Sequence, residues 1–235
     1  MFFRFKDYYS QMGYRFNPFQ GLTPDEFCLA FPLPENFYPE LSQPFQVIQI
    51  VAGGGCGKTS LLRQINFYFT KQGKRPFYHY VRNSNDLLDD VPADCRRLLL
   101  DEAQRLRKNV FLKKLPEWLK SGIRIILGSH MDHRLWFAGK YSLTTIYLSD
   151  KFKSLLPEII KKRLDFASVS KPLHFFTPEA LDLLAEESGG SMEAARAIGY
   201  EIFLQLPPSG AIDVKAVKTA AEKLKPSCEK KISRF

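Results

Sequence analysis

Apolar and polar positions change rhythm twice along the chain. Up to about residue 45 the pattern is aromatic, proline-bearing and only weakly periodic. It predicts a short helix around Asp7–Met12, a loop through Asn17-Pro18-Phe19, and a helical turn in Leu22–Ala30 that starts with a capped Thr23-Pro24-Asp25-Glu26. From there to residue 150, short apolar runs alternate with helical periodicity. Gln46–Val51, Phe77–Val81, Arg97–Leu100, Ile123–Leu127 and Thr144–Leu148 read as strands. Thr59–Lys71 and Val110–Lys120 read as helices, stopped by Gly73 and Gly122. Strands that are mostly apolar and separated by helices predict a parallel sheet covered on both faces. Beyond residue 151 the pattern is wholly helical, over Phe152–Arg163, from Thr177-Pro178-Glu179, Ser191–Leu206 and Asp213–Leu224. The expected domains are an aromatic segment over residues 1–45 packed on the core, an α/β core over 46–150, and a helical part with a basic tail over 151–235.

Composition narrows the class. The 235 residues are 45% hydrophobic and 25% charged, which excludes disordered, collagen-like and disulfide-scaffold chains. Lys and Arg outnumber Asp and Glu by 34 to 25, a formal charge of +9 that suits an acidic partner such as nucleic acid or anionic lipid. Cys28, Cys56, Cys95 and Cys228 are too irregularly spaced for a zinc site and read as reduced thiols. The first ten residues carry Arg, Lys and Asp where a signal peptide needs an apolar run, and no run approaches a membrane span. The expectation is a cytoplasmic protein with no membrane partner.

The strongest chemical signal is Ala52-Gly53-Gly54-Gly55-Cys56-Gly57-Lys58-Thr59. It matches the phosphate-binding pattern G-x-x-x-x-G-K-[ST], with Ala52 at the first position. Glycines let the backbone curl so that successive N–H groups face phosphate oxygens. Lys58 reaches the outer phosphates, the Thr59 hydroxyl ligates Mg²⁺, and the following helix aims its positive end at the same anion. Gly53, Gly54, Gly55, Cys56, Gly57, Lys58, Thr59 and Ser60 are therefore the nucleotide-binding candidates.

Leu98-Leu99-Leu100-Asp101-Glu102 supplies the complementary pattern, an apolar strand ending in two carboxylates. Asp101 is the candidate to hold Mg²⁺ with Thr59, and Glu102 the candidate to polarise an attacking water. A guanine-reading Asn-Lys-x-Asp motif is absent, which favours ATP. Ser129, after the strand Ile123–Leu127 and Gly128, is a candidate to sense the γ-phosphate, with His130 as the runner-up. Arg134 and Arg163 are candidates for an arginine acting in trans on a neighbour's nucleotide.

These residues resemble AAA+ ATPases of the ExeA-type and transposition-helper (TniB/TnsC-type) group. Besides Ala52–Ser60 and Leu98–Leu106 (LLLDEAQRL), Tyr8–Phe19 (YYSQMGYRFNPF) resembles that group's aromatic leading segment. Ile159–Leu164 followed by Phe176–Gly190 (FTPEALDLLAEESGG) resembles the start of its lid. The resemblance implies a P-loop NTPase (AAA+) fold: a parallel five-stranded sheet, helices on both faces, the P-loop strand central, and a small C-terminal helical lid. It implies an ATPase that uses Mg²⁺, forms homo-oligomers and works with DNA or a DNA-processing protein. Two departures stand out. Only Arg82–Arg96 separates the second strand from the acidic pair, where the family has a helix. Glu193 stands where the lid's γ-phosphate arginine is usual, with Arg196 one turn later as the remaining candidate. The alternatives are a nucleotide-regulated signalling or defence switch, a secretion-type ATPase acting on protein partners, or a non-catalytic adaptor. The charge surplus after Asp150 and in the last thirteen residues is where a DNA-facing surface is expected.

Overall fold

The computed structural model describes residues 8–30, 41, 45–86, 88–89, 91–137, 139–148, 152–207 and 209–232. The chain divides into two units, Pro24–Ser149 and a second one made of Met1–Thr23 with Asp150–Phe235.

In the first unit, helix α1 (Pro24–Ala30) is followed by β1 (Val47–Val51), α2 (Lys58–Lys71), β2 (Pro76–Tyr80), β3 (Arg97–Asp101), a 3₁₀ turn at Ala103–Arg105, and α3 (Lys108–Lys120). Then come β4 (Arg124–Ser129), the short α4 (Arg134–Phe137) and β5 (Leu143–Tyr147). The five strands form one sheet in the order β2-β3-β4-β1-β5, every pair parallel. The apolar character at successive positions follows from burial on both faces. Leu98, Leu100, Ile125 and Leu127 join a cluster with Phe111, Leu115 and Trp118 of α3. Helix α2 packs on β2, β3 and β4. Gly128 permits its close approach, because a Cβ there would lie 2.6 Å from Leu62 Cδ1 and 3.3 Å from Asp101 Oδ1. The P-loop strand β1 is second from the edge, between β4 and β5, rather than central. A parallel connection can pass over an existing neighbour as well as lie beside it, so strand order is not written in the local pattern. Between β2 and β3 the described residues form no helix.

The second unit contains α5 (Phe152–Ala167), β6 (His174–Phe176), α6 (Pro178–Glu187), α7 (Met192–Phe203), β7 (Gly210–Ile212) and α8 (Val214–Ile232). Caps expected from sequence are in place: Thr177 and Ser191 side chains accept from the Ala180 and Ala194 N–H groups. The wholly helical expectation misses the short parallel pair β6–β7. Three-residue strands are too short to leave a period-2 signature.

Of the N-terminal segment expected to pack on the P-loop core, α1 does so, against α2, whereas residues 8–23 complete this second unit. Tyr9, Met12, Tyr14 and Phe19 are buried in one cluster with Leu156, Ile160, Phe176, Phe203 and Val217. The Arg15 N–H donates to the Ala167 carbonyl and the Val169 N–H to the Gly13 carbonyl. Asn17 is buried and ties the Asn-Pro-Phe loop down. Its amide donates to Tyr9 Oη and the Tyr200 carbonyl, and its Oδ1 accepts from the Phe19 N–H. The Phe19 ring lies against Gly199, where a Cβ would sit 2.3 Å from it. Helix α8 carries the basic tail as far as Ile232, and residues 233–235 fall outside the described part. The expected start at Asp7 and the ends at Asp150 and Lys151 also fall outside it.

Candidate active site

The phosphate loop leaves β1 at Val51 and enters α2 at Lys58. It is held at its start by the Ala52 N–H, which donates to the Ser129 carbonyl of β4 at 3.2 Å. Gly55 and Gly57 take φ of 72° and 89°, left-handed values that suit glycine. Gly57 caps α2 with no side-chain hydrogen bond, and the first turn carries no acidic residue. The first-turn N–H groups, which no intrahelical carbonyl can satisfy, are therefore left to an external acceptor at the positive end of a 14-residue helix. This donor set fits a polyphosphate.

Lys58 is only 4% exposed. Its Nζ donates to the Ala52 and Gly53 carbonyls at 2.9 and 2.7 Å. Burial lowers its pKa from the ordinary lysine value, while Glu102 and Asp101 act in the opposite direction. Thr59 and Ser60 are half-buried in the first turn, and the Cys56 Sγ lies 3.6 Å from the Gly54 carbonyl.

Asp101 ends β3 fully buried. One carboxylate oxygen accepts from the Glu102 N–H at 3.0 Å and the other from the Tyr78 hydroxyl at 2.7 Å. Burial and the Asp101 carboxylate both push the Tyr78 phenol far above its ordinary value, so it stays a proton donor. Thr59 and Asp101 are the residues that would hold Mg²⁺, by the chemistry of a hydroxyl in the first turn of α2 and a carboxylate at the end of β3. Glu102 stands in the left-handed region at φ 59°, a strained backbone for a non-glycine residue. Its carboxylate accepts from Gln104 Nε2 at 2.9 Å and pairs with Arg105 at 3.0 Å.

His130 joins the two motifs. Its Nδ1 is 3.4 Å from Lys58 Nζ, and its Nε2 is 3.3 Å from Glu102 Oε1. Lys58 can only donate and the carboxylate can only accept, so this arrangement assigns the Nε2–H tautomer to the neutral ring. Ser129, the first choice for this position, is turned away. It is fully buried, its hydroxyl is 2.7 Å from His133 Nε2, and it accepts from the Met131 N–H. Consecutive residues leaving a strand face opposite ways, so one of Ser129 and His130 had to point elsewhere.

The arginine candidates fare differently. Arg163 does not face outward for a neighbour. It is 6% exposed inside the helical unit, donates to the Pro18 and Gln20 carbonyls, and sits 5.9 Å from the Phe19 ring. Burial, and then the nearby Arg196, push its pKa down to about 10. Arg196 donates to the Phe19 carbonyl at 3.4 Å within the same unit. Arg134 has an exposed side chain paired with Asp132 at 2.6 Å. Sequence reading missed Tyr78, Gln104 and Arg105. Tyr78 carries no local signal, whereas the Gln and Arg directly after Asp-Glu-Ala were visible.

No family model matches the sequence, and no curated protein matches it. Solved structures do. Domain III of the replication initiation protein DnaA from Thermotoga maritima is 17% identical, with 87% of this chain and 98% of that one covered and a TM-score of 0.56. A single-substitution variant of RuvB from Thermotoga maritima is 19% identical over 83% of this chain and 70% of that one, with a TM-score of 0.58. AMPPCP-bound DnaA from Aquifex aeolicus is 18% identical over 88% and 72%, with a TM-score of 0.56. The fold is that of the AAA+ P-loop NTPases. In this AAA+ fold the P-loop, the Asp101–Glu102 pair and His130 all stand at the carboxyl ends of adjacent parallel strands, where open α/β sheets bind ligands. Among the described residues no helix is long and apolar enough to cross a membrane.

Proposed function

We propose that this chain binds Mg²⁺-ATP at the P-loop and hydrolyses it slowly. The nucleotide state would control its self-assembly and its interaction with DNA or a DNA-processing partner, in the manner of a transposition-helper regulator. The observation that carries the ATPase reading is the line Lys58–His130–Glu102, with separations of 3.4 and 3.3 Å. A loop that only bound phosphate would need the lysine and the backbone donors, not a general base tied to them. Lys58 and the first-turn N–H groups of α2 bind the phosphates. Asp101, oriented by Tyr78, and Thr59 would hold the cation, which would supply neutralisation of the phosphate charge. Glu102 accepts the proton of the attacking water, and His130 links its carboxylate to the lysine. Slow turnover is favoured because Gln104, Arg105 and His130 already occupy the Glu102 carboxylate.

The DNA part of the reading rests on the +9 charge and on the likeness in fold to the Holliday junction branch migration motor RuvB, TM-score 0.53. Multiple-turnover ATP hydrolysis is the direct test. Glu102→Gln is expected to lower kcat about 10²- to 10⁴-fold while retaining ATP affinity. Absence of any turnover in the wild type, alone or with DNA, would leave a nucleotide-regulated switch instead. Assembly is read from the oligomeric mass with and without ATP and DNA; a mass unchanged in all four states would remove that part.

A further inference from the structure

The opposite end of the same sheet carries a cluster that the nucleotide site does not use. Arg75 immediately precedes β2, Arg96 precedes β3, Arg97 opens β3 and Arg124 opens β4. Parallel register puts them side by side. Arg97 pairs with Pro76 on one side and with Arg124 on the other. The Arg96 N–H donates to the Arg75 carbonyl and the Arg124 N–H to the Arg96 carbonyl. Neighbouring strands lie about 4.8 Å apart, so the row spans about 10 Å across three strands. Lys74, from the turn after α2, joins it. Lys74 Nζ and the Arg97 guanidinium each stand 5.5 Å from the centre of the buried Phe69 ring. Gly73, Lys74, Arg75, Arg96 and Arg97 line a cavity of about 400 Å³.

Among the described residues this gathering of cations is poorly compensated. Asp94 pairs with Arg75 at 3.4 Å, but both side chains are about two-thirds exposed, at 65% and 64%, where such a pair contributes little. Arg96 and Arg97 spend one N–H each on backbone carbonyls, which satisfy a donor without neutralising a charge. The Arg97 Nε is buried with no hydrogen-bond partner among the described residues. Burial, and then the neighbouring Arg124, lower the Arg97 pKa from its ordinary value. Arg75 also holds φ at 44°, backbone strain at the cavity wall. Guanidinium forks without a buried counter-charge among the described residues, gathered around one cavity, are the arrangement a phosphate group would neutralise.

We propose that Lys74, Arg75, Arg96, Arg97 and Arg124 form a contact for the phosphodiester backbone of a nucleic-acid strand, separate from the P-loop. The proposal rests on the DNA reading above and gives it a place. A row of about 10 Å is longer than the roughly 3.4 Å axial rise per nucleotide of one strand, so it meets more than one phosphate. Phe69 and Phe45, the aromatic rings beneath the cations, are buried, so they offer bases no face to stack on. Binding here is therefore to backbone and indifferent to sequence. The five-residue strands separate this end from the P-loop end by about 17 Å.

The test is fluorescence anisotropy of a fluorescein-labelled oligonucleotide, single- and double-stranded, titrated with the full chain across a salt series. Arg75→Ala/Arg96→Ala removes two exposed side chains and is expected to weaken binding about tenfold or more. The log–log salt slope should become shallower by about one for each phosphate that the variant no longer neutralises. Arg97→Gln is expected to weaken binding in the same sense. Lys108→Ala/Lys113→Ala, an equal reduction of exposed charge elsewhere, on α3, should leave affinity and slope unchanged. Binding of a fluorescent ATP analogue and the melting temperature should match wild type in Arg75→Ala/Arg96→Ala. Wild-type binding with an unaltered affinity and slope in that variant would overturn the proposal and leave the DNA reading standing. No wild-type binding at low salt would overturn both. Competition by inorganic phosphate for a site that takes no oligonucleotide would make it a free-anion site and also overturn the proposal.

Discussion

The two ends of the central sheet hold their charges in different ways. At the carboxyl ends of the strands, Lys58, His130, Glu102, Gln104 and Arg105 form an alternating network in which each cation or donor meets an acceptor. At the amino ends, Arg75, Arg96, Arg97 and Arg124 stand in a row of one sign with Asp94 as the carboxylate paired to it. The first arrangement is self-satisfied before any ligand arrives and can position a reaction. The second keeps its like charges together only because strand register leaves them no choice, and it is suited to binding an anion rather than to chemistry. The difference teaches that a net charge of +9 is less informative than where the uncompensated part of it lies.

The comparison can be broken most forcefully at the carboxyl end. Lys58→Ala removes the cation of the phosphate loop and should weaken ATP binding about a hundredfold, near the 3 kcal/mol of a strong charge-assisted interaction. Fluorescent-nucleotide titration measures it, and a weakening below about threefold would mean the loop is an interaction platform. Gly128→Ala pushes a methyl against Leu62 and towards Asp101 Oδ1, so chemical denaturation should register about 1–3 kcal/mol of destabilisation. Turnover should fall in the same variant, because Asp101 shifts with it.

At the amino end the opposite sign is expected. Arg97→Met replaces a half-buried cation lacking an Nε partner by an apolar chain of similar length. It should raise stability by about 1 kcal/mol while weakening oligonucleotide binding. A destabilised Arg97→Met would show that the row is structural.

The smallest effect concerns pH. Burial lowers the His133 pKa, against a weaker pull upward from Asp132, and His133 contacts Ser129 and Trp136 at the base of the site. A histidine whose folded pKa is depressed takes up its proton more readily when unfolded, near the ordinary value of about 6.5. Stability is therefore fully present above that value and falls as pH drops from it towards the folded pKa. The melting temperature should decline between about pH 7 and 5, less so in His133→Asn. His174, lowered by burial in the helical unit, adds in the same direction.

Much of the carboxyl end was legible because its residues are neighbours in sequence. Gly53–Ser60 and Asp101–Glu102 each occupy one loop or strand end, and a loop's backbone geometry follows from its own glycines. Ser129 against His130 was decided by which neighbour the strand turned inward. Arg163, a candidate to act in trans on a neighbour's nucleotide, is in fact buried and donates to the Pro18 carbonyl of the Asn17-Pro18-Phe19 loop. The aromatic N-terminal segment announced that it would be buried, but not where.

By itself, the sequence determined the chain order of the five sheet strands, the glycine-rich loop and the acidic pair that ends β3, and hence the class of fold. Each of these depends on periodicity or on residues within a few positions of one another. Tertiary structure decided the strand order, the link through His130, the destination of residues 8–23, and the line of arginines at the amino ends. Those depend on register and on which buried faces meet, and such contacts form between residues separated by tens of positions. Arg75, Arg97 and Arg124 look like unrelated charges along the chain, and parallel pairing alone makes them neighbours.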